Sequence, residues 1–280
     1  MTQKTTIVDI KARKKTGPPI TMLTAYDYPW ALLVDRGGID IILVGDSLGM
    51  VVLGYPDTVS VTMDEMIHHL KAVSRATERA LVVGDMPFGS YNVSVEKAVE
   101  NANRMMKEGR ADAVKLEGGK TMAPVAAAVV RSGTPVQGHI GLTPQTASAL
   151  GGFKVQGKSA AAARALIDDA RALEAAGCFS LVLEAIPAPI ARMVTEAVEI
   201  PTIGIGAGIQ CDGQVLVTHD MVGLFDRFTP KFVKQYANIS EAIASAIAVY
   251  ADDVRTGRFP GEEHSFTMKT DELEKVEEDQ

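Results

Sequence analysis

Five short apolar runs in this sequence end on a polar residue that could take part in chemistry. They end at Asp46, Asp85, Glu117, His139 and Glu184. Such runs, separated by helical stretches, are typical of buried parallel strands, and in an α/β barrel the reactive residues lie at the C-terminal ends of those strands. Three carboxylates on one rim supply hard oxygen ligands, which suit Mg²⁺ better than zinc. The sequence therefore predicts an enzyme with a metal site made by Asp46, Asp85 and Glu117.

Each of these acids also has a simpler explanation. A strand-end aspartate can cap the following helix, and both Asp46 and Asp85 allow this. Clustering three negative charges is unfavourable unless a cation or proton compensates, which favours the metal hypothesis. Mg²⁺ usually keeps water ligands. We therefore expect at least one of the acids, with Glu117 as the first candidate, to contact the cation through a water molecule. Glu184 is interpreted as a general base, or alternatively as a helix cap before Pro187.

Two further polar residues share these strands. Lys115 lies two residues before Glu117, so both side chains point to the same side of the strand, toward the barrel interior. Lys115 either forms a structural ion pair or binds the carboxylate of a substrate. A Schiff-base role is disfavoured because nearby carboxylates keep the amine protonated. His139 either hydrogen-bonds a substrate oxygen or is satisfied by local backbone.

The elements that must position these residues alternate between strand and helix eight times. Helical stretches separate the strands, and one of them begins after Ser159 as N-cap and stops at Gly177. Strict alternation implies a parallel sheet, and eight units imply closure, so the predicted fold is a (β/α)8 barrel. The predicted strands are Ile20–Ala25, Ile41–Asp46, Leu81–Met86, Ala113–Gly118, Pro135–Ile140, Ser180–Ala185, Pro201–Gly208 and Gln214–Asp220.

Several other features remain open. The long, turn-rich stretch Ser47–Met66 is a candidate lid over the substrate. The glycines in Ile203–Gly208 lack a basic companion, so tight packing or close ligand approach is a better explanation for them than phosphate binding. We expect His68 and His69 to lie on the surface of a helix. The pair His219–Asp220 ends the eighth predicted strand and has no assigned role.

Composition excludes several classes of protein. The 280 residues are 46% hydrophobic with a formal net charge of −7, which argues against a nucleic-acid binder or a binder of anionic membranes. Only Cys178 and Cys211 are present, outside any CxxC motif, so neither a disulfide scaffold nor a structural zinc site is expected. No run reaches the length of a membrane span, and the N-terminus lacks the apolar core of a signal peptide. We expect a cytoplasmic enzyme.

The length suits one barrel domain of about 250 residues. We place it at residues 1–266, with the basic start at Lys11, Arg13, Lys14 and Lys15 either capping the bottom of the barrel or forming a subunit contact. Residues 267–280 are polar and mainly acidic, and we expect a solvated tail with little fixed structure there.

Five motifs resemble one family closely and in the same order. They are TMLTAYD, LVGDSLGMVVLGYPDT, VKLEGG, GHIGLTPQ and LVLEAIP, and the resemblance to the ketopantoate hydroxymethyltransferase family extends from about Thr21 to Phe259. It implies a Mg²⁺-dependent barrel of the phosphoenolpyruvate/pyruvate-type superfamily, usually decameric, in pantothenate biosynthesis. It also implies roles for particular residues: Asp46, Asp85 and Glu117 as metal-site acids, Asp46, Ser47, Asp85 and Lys115 as keto-acid contacts, and Glu184 as proton acceptor.

The expected reaction joins the two lines of reasoning. Glu184 removes the C3 proton of 3-methyl-2-oxobutanoate, and the resulting enolate attacks the one-carbon unit of 5,10-methylenetetrahydrofolate to give 2-dehydropantoate. One alternative is a related metal-dependent keto-acid lyase or aldolase, although neither cysteine here lies in the catalytic loop motif that those lyases share. A second alternative is a metal-binding barrel without catalysis.

Overall fold

The computed structural model describes residues 3–225 and 227–278, without the side chain of Lys15, and its sheet is a closed barrel of eight parallel strands in chain order. The predicted (β/α)8 fold is confirmed. The strands are β1 Ile20–Thr24, β2 Ile41–Val44, β3 Leu81–Asp85, β4 Ala113–Glu117, β5 Val136–Gly141, β6 Ser180–Glu184, β7 Thr202–Ile205 and β8 Gly213–Leu216.

The helices occupy most of the connections between strands. Polar N-caps begin many of them: Ser159 accepts the backbone N–H of Ala162 at the predicted start of one helix, and Thr62 and Glu65 form a capping box at another. The helices are α1 Ile7–Thr16, α2 Tyr28–Arg36, α3 Leu48–Val51, α4 Met63–Ala76, α5 Val95–Lys107, α6 Ala123–Arg131, α7 Ala160–Ala175, α8 Ala188–Ala197, α9 Thr218–Met221, α10 Ile239–Arg255 and α11 Thr270–Glu278.

The barrel interior changes character along its axis. Toward the N-terminal end it is filled by apolar side chains such as Met22, Leu43 and Val83, and Ile10 of α1 packs with them. Arg13 and Lys14 on α1 form ion pairs of 2.8 Å with Asp40 and Asp212, just before β2 and β8. Helix α1 therefore lies against the N-terminal end of the barrel, and the charged residues are left to the opposite end.

Two predicted strands were drawn too long at their C-terminal ends. Strand β7 stops at Ile205 because Gly206 and Gly208 turn the chain with φ of +64° and +81°. Strand β8 stops at Leu216, so His219 and Asp220 lie in the short helix α9 and the prediction that they end a strand was wrong. A Cβ on Gly204 would lie 2.9 Å from Cys211 Sγ, which supports tight packing for this glycine run.

The remaining expectations concern the candidate lid, the two cysteines and the acidic tail. The candidate lid holds α3 and the start of α4, with Thr58 and Val61 buried, and its role as a lid stays a prediction. Cys178 and Cys211 are free and buried. Where little fixed structure was expected in the acidic tail, the chain forms α11 with all its side chains exposed; Asp279 and Gln280 lie outside the described residues. The domain boundary at residue 266 stays a prediction.

Candidate active site

The reactive side chains gather at the C-terminal end of the barrel because strand side chains alternate. Leu81 and Val83 point inward from β3, so Asp85 does too, and Ala113 places Lys115 and Glu117 inward on β4 in the same way. The strand register then sets the neighbours. Asp85 lies beside Lys115, Glu117 beside His139, and Gly141 beside Glu184.

Lys115 and Asp85 form the tightest charged contact of the site. The ammonium donates to both carboxylate oxygens of Asp85, at 2.6 and 2.8 Å, and lies 3.8 Å from Glu117. Burial alone lowers the pKa of Lys115, but the charges of Asp85, Glu117 and Asp46 outweigh it and raise that pKa above its ordinary value. The raised pKa favours a charged Lys115 and argues against the unprotonated amine that Schiff-base chemistry needs.

His139 lies between two carboxylates. Its Nδ1 is 3.3 Å from Glu117 and its Nε2 is 3.2 Å from Glu184, in ion-pair range without hydrogen-bond geometry. Burial and Lys115 lower its pKa, but Glu117 and Glu184 reverse this and raise it to about 9. The alternative that local backbone satisfies His139 was wrong. This pKa favours a positively charged ring at neutral pH, placed between the Glu117 and Glu184 carboxylates.

Asp46 follows β2 and is almost completely buried. Its backbone N–H donates to Asp85, at 3.4 Å, and its Oδ2 accepts the side-chain amide of Gln145, at 2.9 Å. Burial together with the charges of Asp85 and Glu117 raises the pKa of Asp46. The helix-capping explanation for Asp46 and Asp85 was wrong, because both carboxylates bind partners within the site. The raised pKa of Asp46 indicates surplus negative charge.

Glu184 is the most accessible of the four acids, with 16% of its side chain exposed. The capping alternative was wrong for it as well, because Pro187 takes the N-cap position of α8 with no side-chain cap. The next residue, Ala185, has a φ of 47°, and a Cβ on Gly141 would lie 2.2 Å from the carbonyl oxygen of Glu184. Strained backbone and a required glycine therefore fix the position of Glu184.

Gln145 and Tyr91 complete the site and were missed from the sequence. Gln145, in the turn after β5, donates its side-chain amide to Asp46 and to the Met86 carbonyl, and its backbone N–H to Glu117 at 3.1 Å. Tyr91 donates its hydroxyl to Gln145, at 2.7 Å. Gln145 belongs to the GLTPQ motif, but the sequence does not show whether an uncharged loop side chain faces the site or the solvent. The structure makes it the bridge between two of the acids.

Other predicted residues lie at the edge of this group. Ser47 is half-buried, and its Oγ is 2.8 Å from the Tyr26 hydroxyl. His69 is not a free surface residue, since its Nδ1 lies 2.6 Å from the Tyr26 carbonyl oxygen, whereas His68 is exposed. The ring of His219 packs 5.3 Å from those of Tyr26 and Trp30. Burial raises the pKa of Asp220 to about 6.

Within residues 3–225 and 227–278, no three His, Cys, Asp or Glu side chains are arranged as a ready metal site. Lys115 uses both oxygens of Asp85, and Gln145 uses one oxygen of Asp46. The donor set still fits Mg²⁺, because it offers buried carboxylate oxygens and a surplus of negative charge.

The family model described as ketopantoate hydroxymethyltransferase matches residues 4–262. The chain belongs to the ketopantoate hydroxymethyltransferase family. Among its relatives, the 3-methyl-2-oxobutanoate hydroxymethyltransferase of Oleidesulfovibrio alaskensis is 61% identical over 99% of this chain and 96% of its own length. The enzyme of the same name from Moorella thermoacetica is 62% identical over 94% of this chain and 98% of its own. The predicted family and activity, hydroxymethyl transfer to 3-methyl-2-oxobutanoate in pantothenate biosynthesis, are confirmed.

Solved structures with low sequence identity share the fold of this ketopantoate hydroxymethyltransferase family member. Phosphonopyruvate hydrolase in complex with oxalate and Mg²⁺ is 14% identical with a TM-score of 0.61, covering 100% of this chain and 99% of that one. A 2,3-dimethylmalate lyase of the PEP mutase/isocitrate lyase superfamily is 15% identical with a TM-score of 0.58, and each chain is covered to 98%. The lyase alternative thus shares a fold with this chain. No helix in the described part of the chain could cross a membrane.

Proposed function

We propose that this enzyme binds Mg²⁺ through Asp46, Asp85 and Glu117 and uses Glu184 to enolise 3-methyl-2-oxobutanoate. The observation that carries the proposal is the surplus of buried carboxylate on one rim, where burial and neighbouring acids raise the pKa of Asp46. A divalent cation offsets that surplus better than the single ammonium of Lys115. Phosphonopyruvate hydrolase, with the same fold, holds Mg²⁺ together with oxalate, a small dicarboxylate.

The contacts suggest how the three acids share the cation. Among the described residues, Asp46 has one carboxylate oxygen without a hydrogen bond, whereas Glu117 faces His139 and accepts the backbone N–H of Gln145. We therefore keep the expectation that Glu117 acts through a water molecule. Asp46 would offer its second oxygen directly, and Asp85 would do so once Lys115 gives up one of its two contacts. When bound, Mg²⁺ supplies positive charge that stabilises the enolate of the keto acid.

The chain's own residues perform the remaining steps. Lys115 and Ser47 orient the keto acid, and Lys115 does so by binding the carboxylate of the substrate. Glu184 removes the C3 proton, since it is the acid with most access from the open end of the barrel. The C3 carbanion then forms a carbon–carbon bond to the one-carbon unit of 5,10-methylenetetrahydrofolate. Water supplies the hydroxyl group as the two bonds from the one-carbon unit to the folate nitrogens break. The proton taken by Glu184 and one proton of the water end on those nitrogens, and 2-dehydropantoate and tetrahydrofolate leave. His139, charged at neutral pH, holds the Glu184 carboxylate in place and borders the substrate site.

Proton exchange tests this assignment directly. In D₂O, with Mg²⁺ but without folate, the protein should exchange the C3 proton of 3-methyl-2-oxobutanoate, and chelator should stop the exchange. Glu184→Gln should lose exchange by about 100-fold or more, the typical contribution of a general base. Glu196→Gln, the same change on the exposed surface of α8, is the control and should retain it. Exchange by Glu184→Gln at the wild-type rate would show that another group is the base.

The remaining parts of the proposal concern assembly and location. We propose a homo-oligomer, a decamer by resemblance to the family, working in the cytoplasm on a small keto acid and a folate. Sedimentation of the purified protein tests the assembly state. A stable monomer that turns over normally would contradict the oligomer.

A further inference from the structure

The catalytic end of the barrel carries hydroxyl groups on the side away from most of its charged residues. Thr24 ends β1 and Tyr26 follows it, Ser47 comes three residues after β2, and Thr218 comes two residues after β8. In the closed barrel β8, β1 and β2 are neighbours, and β1 lies across from β5. Ser47 is half-buried next to Asp46, whereas Tyr26 is only 1% exposed. These hydroxyls therefore lead from the protein interior to the edge of the site.

The contacts show how the hydroxyls are connected. Thr24 Oγ1 accepts the backbone N–H of Thr218, at 3.0 Å, and the Tyr26 hydroxyl lies 2.8 Å from Ser47 Oγ. Burial raises the pKa of Tyr26 above its ordinary value, and hydrogen bonds with Ser47 and Thr24 offset only part of this rise. The phenol of Tyr26 therefore keeps its proton at neutral pH and can donate it.

The Ser47 hydroxyl is not used for helix capping. Ser47 holds the N-cap position of α3, but its side chain forms no capping hydrogen bond, and among the described residues its hydrogen-bond partner is Tyr26. A Cβ on Gly45 would lie 3.0 Å from Ser47 Oγ, so the glycine leaves room for the hydroxyl in this position. A serine hydroxyl has one proton to donate and two lone pairs that accept. The direction of the bond to Tyr26 thus decides whether Ser47 keeps its proton for a substrate.

We propose that Tyr26 is a positioning residue: it donates its proton to Ser47 and thereby directs the Ser47 O–H at the keto acid, which rests on the proposed role of Ser47 in orienting that substrate. The carboxylate and the 2-oxo group of a keto acid carry only acceptor oxygens, so Ser47 can bind them only as a donor. If Ser47 gave its proton to Tyr26 instead, its lone pairs would face the oxygens of the substrate, and the contact would be repulsive.

The surroundings of Tyr26 support this direction. The ring of His69 lies with Nδ1 2.6 Å from the Tyr26 carbonyl oxygen, and the ring of His219 packs 5.3 Å from that of Tyr26, so the tyrosine is held at both its backbone and its ring. Because the Thr24 oxygen already accepts the Thr218 N–H, Thr24 has its own proton to donate to the Tyr26 oxygen. A hydroxyl that accepts one hydrogen bond becomes a better donor in the next. Each proton then points outward, toward the substrate.

A double-mutant cycle of Tyr26→Phe and Ser47→Ala tests the positioning role through binding. Calorimetry measures the dissociation constant of 3-methyl-2-oxobutanoate in the presence of Mg²⁺ and without folate. Ser47→Ala should weaken binding by about tenfold or more, as expected for loss of a hydrogen bond to a charged group. Tyr26→Phe should weaken binding by about fivefold, and it should have no further effect once residue 47 is alanine. Tyr28→Phe removes the same hydroxyl from an exposed side chain, and this control should bind like the wild type.

The possible results separate the role of Tyr26 from the proposed function. Wild-type keto-acid affinity in Ser47→Ala would show that Ser47 does not bind the substrate, which contradicts that part of the proposed function and overturns the role of Tyr26 with it. Weaker binding in Ser47→Ala but wild-type affinity in Tyr26→Phe would overturn the role of Tyr26 alone. The same would follow if Tyr26→Phe weakened binding equally with and without the Ser47 hydroxyl, since a purely structural effect does not depend on Ser47. Mg²⁺ affinity in Tyr26→Phe should match the wild type, and a loss would overturn the proposal because Tyr26 would then act on the metal site.

Discussion

Replacing Gln145 by Leu should weaken Mg²⁺ binding although Gln145 has no negative charge. The side-chain amide holds one oxygen of Asp46 and the backbone N–H holds one oxygen of Glu117, so this residue fixes the spacing of two proposed ligands. Leucine has a similar volume but cannot donate to Asp46. Loss of a partner that orients a metal ligand typically reduces metal affinity by about 10- to 100-fold. A hydrogen bond to a charged group contributes about 1.5 to 3 kcal/mol, which agrees with that range.

Isothermal titration of Mg²⁺ into metal-free protein measures this effect without turnover. Gln137→Leu is the matched control, because Gln137 is also buried in the barrel but its side-chain amide donates to Ser180, at 2.8 Å, and not to one of the acids. Gln137→Leu should lose about 1 to 3 kcal/mol of stability, since it leaves the buried Ser180 hydroxyl without its partner. Gln145→Leu should lose more, since Asp46, the Met86 carbonyl and the Tyr91 hydroxyl each lose a partner. Only Gln145→Leu should lose Mg²⁺ affinity. Equal affinity in both variants and in the wild type would refute the positioning role.

Two other substitutions test the charges of the site in metal-free protein. Lys115→Met should lower the free energy of unfolding by about 3 to 5 kcal/mol, because Asp85 keeps a buried charge without its ammonium. Adding Asp85→Asn should recover much of this in urea unfolding at fixed protein concentration, and no recovery would contradict the pairing. For His139, the raised pKa means that its stabilising charge is complete below pH of about 6.5 and is lost as pH rises through about 9. The free energy of unfolding should therefore fall over that window, by roughly 3 kcal/mol at most, as measured by thermal unfolding. The fall should be smaller in His139→Gln, and equal slopes in the two proteins would exclude His139 as its cause.

The barrel could be predicted because its signals are local. Each strand is a short apolar run, and caps such as Ser159 begin helices at positions where one side chain decides the boundary. The ends of β7 and β8 were missed because an apolar residue after a strand looks the same whether the chain extends or turns. Only the backbone angles at Gly206 and Gly208 make that difference.

Charge at the ends of apolar runs was the signal that drew attention to the residues of the candidate site. Charged residues in a buried position need a partner, and alternation alone could place Lys115 and Glu117 on the same side of their strand. The pairing within the group could not be predicted, because it depends on register. Lys115 contacts Asp85 at 2.6 Å and Glu117 only at 3.8 Å. Gln145 was missed because a neutral amide is equally common on the surface, and its importance follows only from the two acids that it binds.

The charge balance of the site also dictates how ligands must bind. Four carboxylates face two cations at the catalytic end, namely Asp46, Asp85, Glu117 and Glu184 against Lys115 and His139. A keto acid brings one more carboxylate, and two charges 4 Å apart repel by about 4 kcal/mol at an effective dielectric of 20. Without a divalent cation this repulsion weakens substrate binding, unless Asp46 takes up a proton and relieves it. We therefore expect at least a tenfold loss of keto-acid affinity when Mg²⁺ is removed, accompanied by proton uptake. Calorimetry in two buffers of different ionisation enthalpy measures both, and equal affinity with and without Mg²⁺ would show that the surplus charge is balanced by other means.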